Sequence, residues 1–123
     1  MTELVLQMDN VSKSYPGVRA LDQVSLDCRA GEVHAILGEN GSGKSTLMKI
    51  ASGIVNPNSG SVTIAGQPLT TADPSLARSL GLATVYQDDS LVRELTVSRH
   101  LFLGAASGSV RYADMVPWAE AQL

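Results

Sequence analysis

The sequence predicts an α/β fold in which a glycine-rich loop connects a buried strand to a helix. Residues 33–37 (Val-His-Ala-Ile-Leu) form a nearly continuous apolar run, which is typical of a strand buried on both faces. Glycine-rich residues follow, and apolar side chains one helical turn apart then predict a helix over residues 44–52, with Gly53 as its left-handed cap. A strand, a glycine loop and a helix in this order form the first half of a parallel α/β unit.

An antiparallel pair of strands is predicted ahead of this unit. Apolar and polar residues alternate over residues 4–9 and again over residues 24–28, which indicates two strands with one drier face each. A turn at residues 14–17 interrupts the pattern between them. Two short strands joined by a polar loop favour an antiparallel β subdomain at the N-terminus.

The remaining sequence predicts short elements separated by turns. Asp73 followed by Pro74 is typical of a helix start, and Gly81 is placed to end that helix. Thr96 is placed to cap a later helix, and the glycine- and serine-rich residues 105–109 read as a loop. The other predicted elements are a strand over 61–65, another strand over 82–86 that is rich in apolar and β-forming residues, and a helix opening at 117–118.

Composition limits the classes of function. A chain of 123 residues has room for about one domain, since domains usually hold about 100–200 residues. Nine basic and twelve acidic residues give a net charge of −3, which argues against a nucleic-acid partner. The single cysteine, Cys28, excludes an internal disulfide and suits a reducing compartment. No apolar run is long enough to span a membrane and no secretion signal is visible, so we expect a cytoplasmic protein.

The glycine loop matches the phosphate-binding pattern G-x-x-x-x-G-K-[ST]. Its residues are Gly38, Glu39, Asn40, Gly41, Ser42, Gly43, Lys44 and Ser45, followed by Thr46. Glycines allow the backbone N–H groups to converge on an anion, and the following helix adds its unpaired N–H groups and positive dipole end. Lys44 is placed to reach the β- and γ-phosphates, Ser45 to bind Mg²⁺, and Thr46 to lie near the α/β-phosphates. A chance match in a glycine-rich linker is the alternative, and the strand before and the helix after weigh against it.

Four short segments in the right order resemble an ATP-binding-cassette (ABC) ATPase. Residues 11–21 resemble the first strand and adenine-contact loop of that family, and residues 31–41 resemble the approach to its Walker A motif. Residues 59–62 (Ser-Gly-Ser-Val) are similar to the strand that follows, and Val85-Tyr86-Gln87 to the end of the strand that delivers the Q-loop glutamine. The resemblance covers most of the chain and implies an incomplete P-loop NTPase core.

Finer features resemble the ATPase subunits of bacterial monosaccharide importers of the ribose, xylose and galactose type. Residues 38–41, the Leu80-Gly81-Leu82 step and Leu95-Thr96-Val97 carry this similarity, which points to the first of two cassettes in one chain. The loop after Gln87 departs from that subfamily, because Asp88-Asp89-Ser90 stands in place of Glu-Leu-Ser. The departure leaves the sugar unassigned.

The resemblance implies roles for two residues outside the loop. Tyr15 is expected to stack on adenine, because an aromatic face binds any base; a surface tyrosine in a turn is the alternative. Gln87 is expected to contact Mg²⁺ and the attacking water, with a solvated strand end as the alternative. Lys44 and Gln87 are then the catalytic residues. The implied cofactors are ATP and Mg²⁺.

The resemblance also implies partners and a location. The expected partners are the transmembrane permease, a second cassette and, indirectly, a periplasmic solute-binding protein. The chain would lie peripherally on the cytoplasmic face of the inner membrane.

Several catalytic parts of that family have no counterpart in the sequence. No apolar run precedes an Asp-Glu pair, and no Leu-Ser-Gly-Gly-Gln string occurs. His34 is expected to be a core or edge residue, His100 a solvated one, and Asp88 and Asp89 a solvated loop. We therefore interpret residues 1–123 as the N-terminal part of a nucleotide-binding domain without its helical subdomain and Walker B motif, and expect the isolated chain to be poorly stable.

Alternative functions remain at this stage. The cassette could serve another solute, or the chain could bind nucleotide without hydrolysing it. A GTPase would carry Asn-Lys-x-Asp, which does not occur, and a small-molecule kinase would need an arginine-rich lid, whereas only Arg93, Arg99 and Arg111 lie in the later part.

Overall fold

The structure, a computed structural model, describes residues 3–87, 91–104 and 115–121. The chain forms two compact units, residues 1–85 and 86–123. The first unit contains one antiparallel sheet with strand order β2-β1-β3-β4 and two helices. Its strands are β1 (Leu4–Tyr15), β2 (Val18–Arg29), β3 (Ser59–Ile64) and β4 (Gln67–Pro68). The predicted antiparallel subdomain is confirmed, with strands longer than the sequence pattern indicated.

The first hairpin turns over two residues. Pro16 and Gly17 connect β1 to β2, and Gly17 has a φ of +76°. Ser14 and Tyr15, which were predicted to belong to the turn, instead remain in β1 and pair with residues of β2. The polar residues between the two alternating patterns therefore continue the strands, because their backbone groups find partners across the ladder.

A bulge in β1 sets which side chains enter the core. Met8 and Val11 are both fully buried. They are three residues apart, and in a regular strand this odd spacing would place their side chains on opposite faces. The register with β2 shifts between them, and Asn10 adopts a φ of +48°. The N–H of Asn10 donates to Ser25 Oγ at 2.9 Å, which satisfies a backbone group that the bulge removes from the ladder.

Helix α1 (Lys44–Ala51) packs its apolar face into the same core. Leu47, Ile50 and Ala51 are buried together with side chains of β1 and β3. The helix ends at Ala51 with Ser52 as its C-cap, and Gly53 follows with a φ of +73°, as predicted. The Gly53 N–H donates to the Ile50 carbonyl oxygen at 3.1 Å. Burial of this face fixes the helix, and hence the loop that precedes it, against the sheet.

Helix α2 (Pro74–Ser79) confirms the predicted start signal. Asp73 Oδ1 accepts hydrogen bonds from the N–H groups of Ser75 (2.9 Å) and Leu76 (3.1 Å). These are donors that the first turn of a helix leaves without backbone partners. Ala77 is the buried residue of this short helix and belongs to the core cluster.

Two segments that were predicted as strands, the first of them a buried strand of a parallel α/β unit, do not form strands. Residues 33–37 and 82–86 have no regular secondary structure. Val33 is 100% exposed, Leu37 is 92% exposed and Val85 is 97% exposed. A parallel strand needs a hydrogen-bonded neighbour and cover on both faces, and among the described residues neither segment has them. Their apolar composition predicted strands. Without a strand to pair with among the described residues, neither segment adopts that structure.

The described residues of the second unit, residues 86–87, 91–104 and 115–121, form two short helices, α3 (Val97–Gly104) and α4 (Met115–Glu120), which contact each other. Thr96 Oγ1 accepts from the Arg99 N–H at 3.4 Å, a long version of the predicted cap. His100 is half-buried rather than solvated, and its Nε2 lies 2.8 Å from the Val92 carbonyl oxygen.

Among the residues that the structure describes, each helix is too short or too polar to cross a membrane. The expected loop at residues 105–109 lies outside the described residues.

Candidate functional site

The glycine loop is held where β2 begins and α1 starts. Gly43 is the N-cap of α1 and adopts a left-handed φ of +95°. A Cβ at this position would lie against the carbonyl oxygen of Ala20 and 2.9 Å from Leu21 Cδ2. The backbone conformation and the close approach of β2 each require glycine here. The sequence therefore brings the loop against the sheet at the end of the first hairpin.

The loop presents N–H groups at the start of α1. No side chain caps this helix, and no acidic residue lies in its first turn. The first N–H groups of a helix have no intrahelical partner, and the dipole makes that end partially positive. Within the loop, the Ser42 N–H donates to the Glu39 carbonyl oxygen at 3.2 Å, which closes a turn. The arrangement favours an anion at this end of the helix.

The Lys44 side chain folds back into the loop. Its ammonium group donates to the carbonyl oxygens of Gly38 (2.5 Å) and Glu39 (2.7 Å) and to Ser42 Oγ (3.1 Å). Three oxygen acceptors hold the cation beside the backbone that the motif provides for phosphate. An incoming phosphate group would therefore meet a charge that is already in position.

A cleft of about 440 Å³ brings the loop and Tyr15 together. This volume is in the range of small-molecule sites, about 300–1,000 Å³. Among the described residues that line it, Lys44 alone carries a formal charge. The lining consists of Tyr15, Val18, Ala20, Asn40, Gly41, Gly43, Lys44, Ser45 and Thr46. The cleft thus joins an aromatic and apolar wall to a cationic, donor-rich one.

Tyr15 occupies the last position of β1. The ammonium group of Lys13 lies 5.5 Å from the centroid of its ring, which is a cation–π distance. The same ammonium group donates to the Asn56 carbonyl oxygen at 2.8 Å. The tyrosine ring therefore lies beside a lysine that is hydrogen-bonded to the segment after α1.

The structure brings most of the predicted site residues together. Tyr15, Asn40, Gly41 and residues 43–46 line one cleft, whereas Gly38, Glu39 and Ser42 contact Lys44 instead. Gln87 is exposed and belongs to the second unit, so its role stays a prediction. Asp88 and Asp89 lie outside the described residues.

Two lining residues were not singled out from the sequence as site residues. Val18 and Ala20 contribute the apolar wall of the cleft beside Tyr15. They are alternate residues at the start of β2, so both side chains lie on one face of the strand. The available signal was their position within residues 11–21, which resemble the adenine-contact loop of the family.

The lining residues fit a magnesium ion that arrives with a polyphosphate. Mg²⁺ prefers oxygen ligands and commonly keeps several waters beside phosphate oxygens. Ser45 and Thr46, which carry hydroxyl groups, line the cleft, and the described lining contains no carboxylate. Hydroxyl oxygens would be available as ligands at this wall, and most of the coordination would come from phosphate and water.

A glycine-rich loop that opens a helix, with a lysine folded beneath it, defines a phosphate-binding-loop domain. The chain belongs to the ABC transporter family, whose pattern matches residues 21–123. It is 50% identical over 104 residues to a putative ribose/galactose/methyl galactoside import ATP-binding protein of Albidiferax ferrireducens. It is 48% identical over 99 residues to the arabinose import ATP-binding protein AraG of Escherichia coli.

Solved cassettes have the same fold over nearly all of this chain. MJ1267, an ATP-binding cassette of an ABC transporter solved in its ADP conformation, matches with a TM-score of 0.77 and 28% identity, covering 95% of this chain. An ATP-binding subunit of another ABC transporter matches with a TM-score of 0.73 and 31% identity, covering 89% of this chain. These matches confirm the fold class predicted from the sequence.

The chain spans a minor part of its relatives. The alignments cover 85% and 80% of this chain but 20% of the length of each import protein. They cover 46% of MJ1267 and 45% of the other cassette.

Proposed function

We propose that this chain is the N-terminal part of the nucleotide-binding domain of an ABC importer, and that it binds ATP with Mg²⁺. The observation that supports this most directly is the single cleft that unites Tyr15 with Lys44 and the start of α1. A nucleoside triphosphate has a flat aromatic base at one end and a polyanion at the other. The two walls of the cleft complement those two ends.

Most of the lining residues have a defined role in this proposal. The triphosphate lies on the N–H groups of residues 41–46, and the Lys44 ammonium group pairs with the β- and γ-phosphates. The Ser45 hydroxyl binds Mg²⁺, and Thr46 donates near the α/β-phosphates. Tyr15 stacks on the adenine base, with Val18 as an apolar contact. Gln87 contributes to Mg²⁺ and the attacking water in the complete domain.

We further propose that the whole protein couples ATP hydrolysis to uptake of a monosaccharide. The names of the relatives, which are import proteins for arabinose and for ribose or galactose, support this substrate class. Another solute remains the alternative. The protein would act with a transmembrane permease and a second cassette, and indirectly with a periplasmic binding protein, on the cytoplasmic face of the inner membrane.

We assign residues 1–123 to the N-terminal part of the nucleotide-binding domain. This part includes the first strands, the phosphate-binding loop and Gln87. The share of the relatives that it covers supports this assignment. The helical subdomain and the acidic motif for hydrolysis would belong to sequence outside these residues. Phosphoryl transfer to water needs a group that positions the water, and the described cleft lining has no carboxylate to do so. We therefore expect the 123-residue chain to bind ATP without turnover.

Calorimetric titration of the chain with Mg-ATP tests the proposal. Lys44→Ala is expected to weaken binding about tenfold to a hundredfold, because a charge-assisted hydrogen bond contributes about 1.5–3 kcal/mol. Lys49→Ala is the matched control, since Lys49 lies in the last turn of the same helix and is exposed. It should bind within about twofold of the unaltered chain, since rim charges contribute little. Equal affinity of the Lys44→Ala chain, folded by circular dichroism, would overturn the assignment.

A further inference from the structure

A cluster of three different ligand types lies outside the nucleotide cleft. The Sγ of Cys28, a carboxylate oxygen of Glu32 and a ring nitrogen of His34 all lie within 4.8 Å of one another. Cys28 is the last of the alternate, less exposed residues of β2. Glu32 and His34 belong to the segment that leads from β2 to the glycine loop. None of the three lines the cleft that holds Lys44.

The backbone between these residues brings the ligands together. The Glu32 N–H donates to the Arg29 carbonyl oxygen at 3.2 Å, and Gly31 has a φ of +76° at the third position of this turn. A positive φ at that position is the requirement of a type II turn and favours glycine. The Ala30 N–H donates to the Glu3 carbonyl oxygen at 2.8 Å, which attaches the turn to β1. The chain therefore doubles back and places Glu32 and His34 beside the end of β2.

The side chains already interact without a metal. His34 Nδ1 lies 2.7 Å from Glu32 Oε1. This hydrogen bond with His34 is the main reason that the pKa of Glu32 is lowered. Partial burial, followed by the charges of Glu32 and Asp27, raises the pKa of Cys28. The side chains of His34 and Glu32 are 37% and 32% exposed, so an ion in solution can reach them.

We propose that Cys28, Glu32 and His34 form a zinc-binding site, with solvent as the fourth ligand. A thiolate, an imidazole and a carboxylate are the donors that Zn²⁺ accepts, whereas Mg²⁺ and Ca²⁺ take oxygen ligands. Tetrahedral zinc with bonds of about 2.0–2.3 Å places its ligand atoms roughly 3.5 Å apart. The observed separations include 2.7 Å for one pair and reach at most 4.8 Å, so rotamer adjustments suffice. The zinc ion replaces the thiol proton of Cys28, which leaves to solvent.

The site connects two parts of the fold that no strand pairing joins within the part of the chain that the structure describes. A bound ion would fasten the start of the exposed segment 33–37 to the end of β2, four residues before Gly38 opens the glycine loop. Because the ion binds the folded arrangement, zinc is expected to raise the melting temperature of the chain. Zinc binding at these three residues does not depend on the proposed nucleotide site.

Cobalt substitution tests the thiolate ligand directly. The 123-residue chain, free of any histidine tag and stripped of metal, is titrated with Co²⁺ and then with Zn²⁺. We expect one ion per chain and a sulfur-to-cobalt charge-transfer band, which only Cys28 can produce because it is the single cysteine. Zn²⁺ should displace the cobalt and remove the band. A titration without that band would overturn the site.

Variants assign the other two ligands. Glu32→Gln, His34→Gln and Cys28→Ser should each weaken zinc binding at least tenfold, since even loss of an outer-shell partner costs about 10–100-fold. Asp27→Asn and His100→Gln are the controls, one an adjacent acid and one the other histidine, and should bind within about twofold. Zinc bound with unchanged affinity by Cys28→Ser would overturn the proposal.

A measurement on the unaltered chain avoids variants that fail to fold. Zn²⁺ should slow alkylation of Cys28 at least tenfold at saturation, whereas Mg²⁺ at the same concentration should leave the rate unchanged. Equal rates with and without Zn²⁺ would show that the thiolate is not a ligand, and would overturn the proposal.

Discussion

The ammonium group of Lys44 donates to the carbonyl oxygen of Gly38, six residues earlier, at a distance of 2.5 Å. The lysine thus closes the loop on itself before any ligand arrives. A phosphate that binds here competes with backbone carbonyl oxygens for the same cation. Part of the attraction between lysine and phosphate is therefore offset by the hydrogen bonds that are exchanged.

Replacing Tyr15 should separate recognition of the base from recognition of the phosphates. Tyr15→Ala is expected to weaken Mg-ATP binding by about 1–3 kcal/mol, because a stacked base contributes that much. Tyr15→Phe keeps the aromatic face and should bind nearly as well as the unaltered chain. Affinity for Mg-tripolyphosphate, which has no base, should be the same in all three proteins. A loss of tripolyphosphate binding in Tyr15→Ala would contradict the stacking role.

Gly43 should tolerate a side chain much less well than Gly41. Both residues have positive φ values, +95° and +83°, so alanine strains the backbone at either position. Only at Gly43 does the added Cβ meet neighbours, the Ala20 carbonyl oxygen and the Leu21 side chain. We expect Gly43→Ala to lower the free energy of unfolding by about 1–3 kcal/mol more than Gly41→Ala, the usual cost of overpacking. Urea unfolding curves measure the difference, and equal losses would count against the close approach.

The chain should self-associate through its exposed apolar segments. Val33 and Val85 lie in exposed stretches that have no strand partner among the described residues, and unpaired apolar backbone is a template for intermolecular pairing. Val33→Lys and Val85→Lys together are expected to shift the sedimentation profile toward monomer. Thr70→Lys at an exposed position adds charge without removing an apolar side chain and serves as the control. An unaltered chain that sediments as a monomer would disprove the prediction.

Cys28 should react slowly with alkylating reagents in metal-free buffer. Burial, together with the charges of Glu32 and Asp27, raises the pKa of its thiol. A raised pKa leaves less of the reactive thiolate at any pH below it, so alkylation at neutral pH should be slower than for a free cysteine. Glu32→Gln removes one of the charges and should increase the rate. Glu94→Gln, in the second unit, removes a charge elsewhere and should have no effect.

The sequence predicted the elements whose stabilising contacts are local. Asp73 before Pro74 identified the start of α2, because the cap bonds lie within three residues of the aspartate. The glycine loop and α1 were predicted for the same reason, since the motif specifies both the turn and the helix that follows. Alternation identified β1 and β2, although the hairpin was longer than the alternation, because ladder pairing continued through the polar residues.

The sequence could not predict features that depend on distant residues. Residues 33–37 have the composition of a buried strand, yet strand formation depends on a neighbour that no local pattern supplies. The cluster at Cys28 was missed because its ligands meet only through the turn at Gly31, and His34 was expected inside a strand. Val18 joined the cleft through the approach of β2 to the glycine loop, which is likewise a long-range contact.

The bulge at Asn10 lets β1 hold one extra residue without losing a core side chain. From Met8 to Val11 the strand takes three steps where β2 takes two, from Leu26 to Val24. Deleting one residue between Met8 and Val11 would leave them two apart on one face of a regular strand, so both side chains would stay in the core. Related proteins should therefore tolerate a one-residue gap at this point, whereas the same gap at a regular position of β1 would reverse the faces of all residues beyond it.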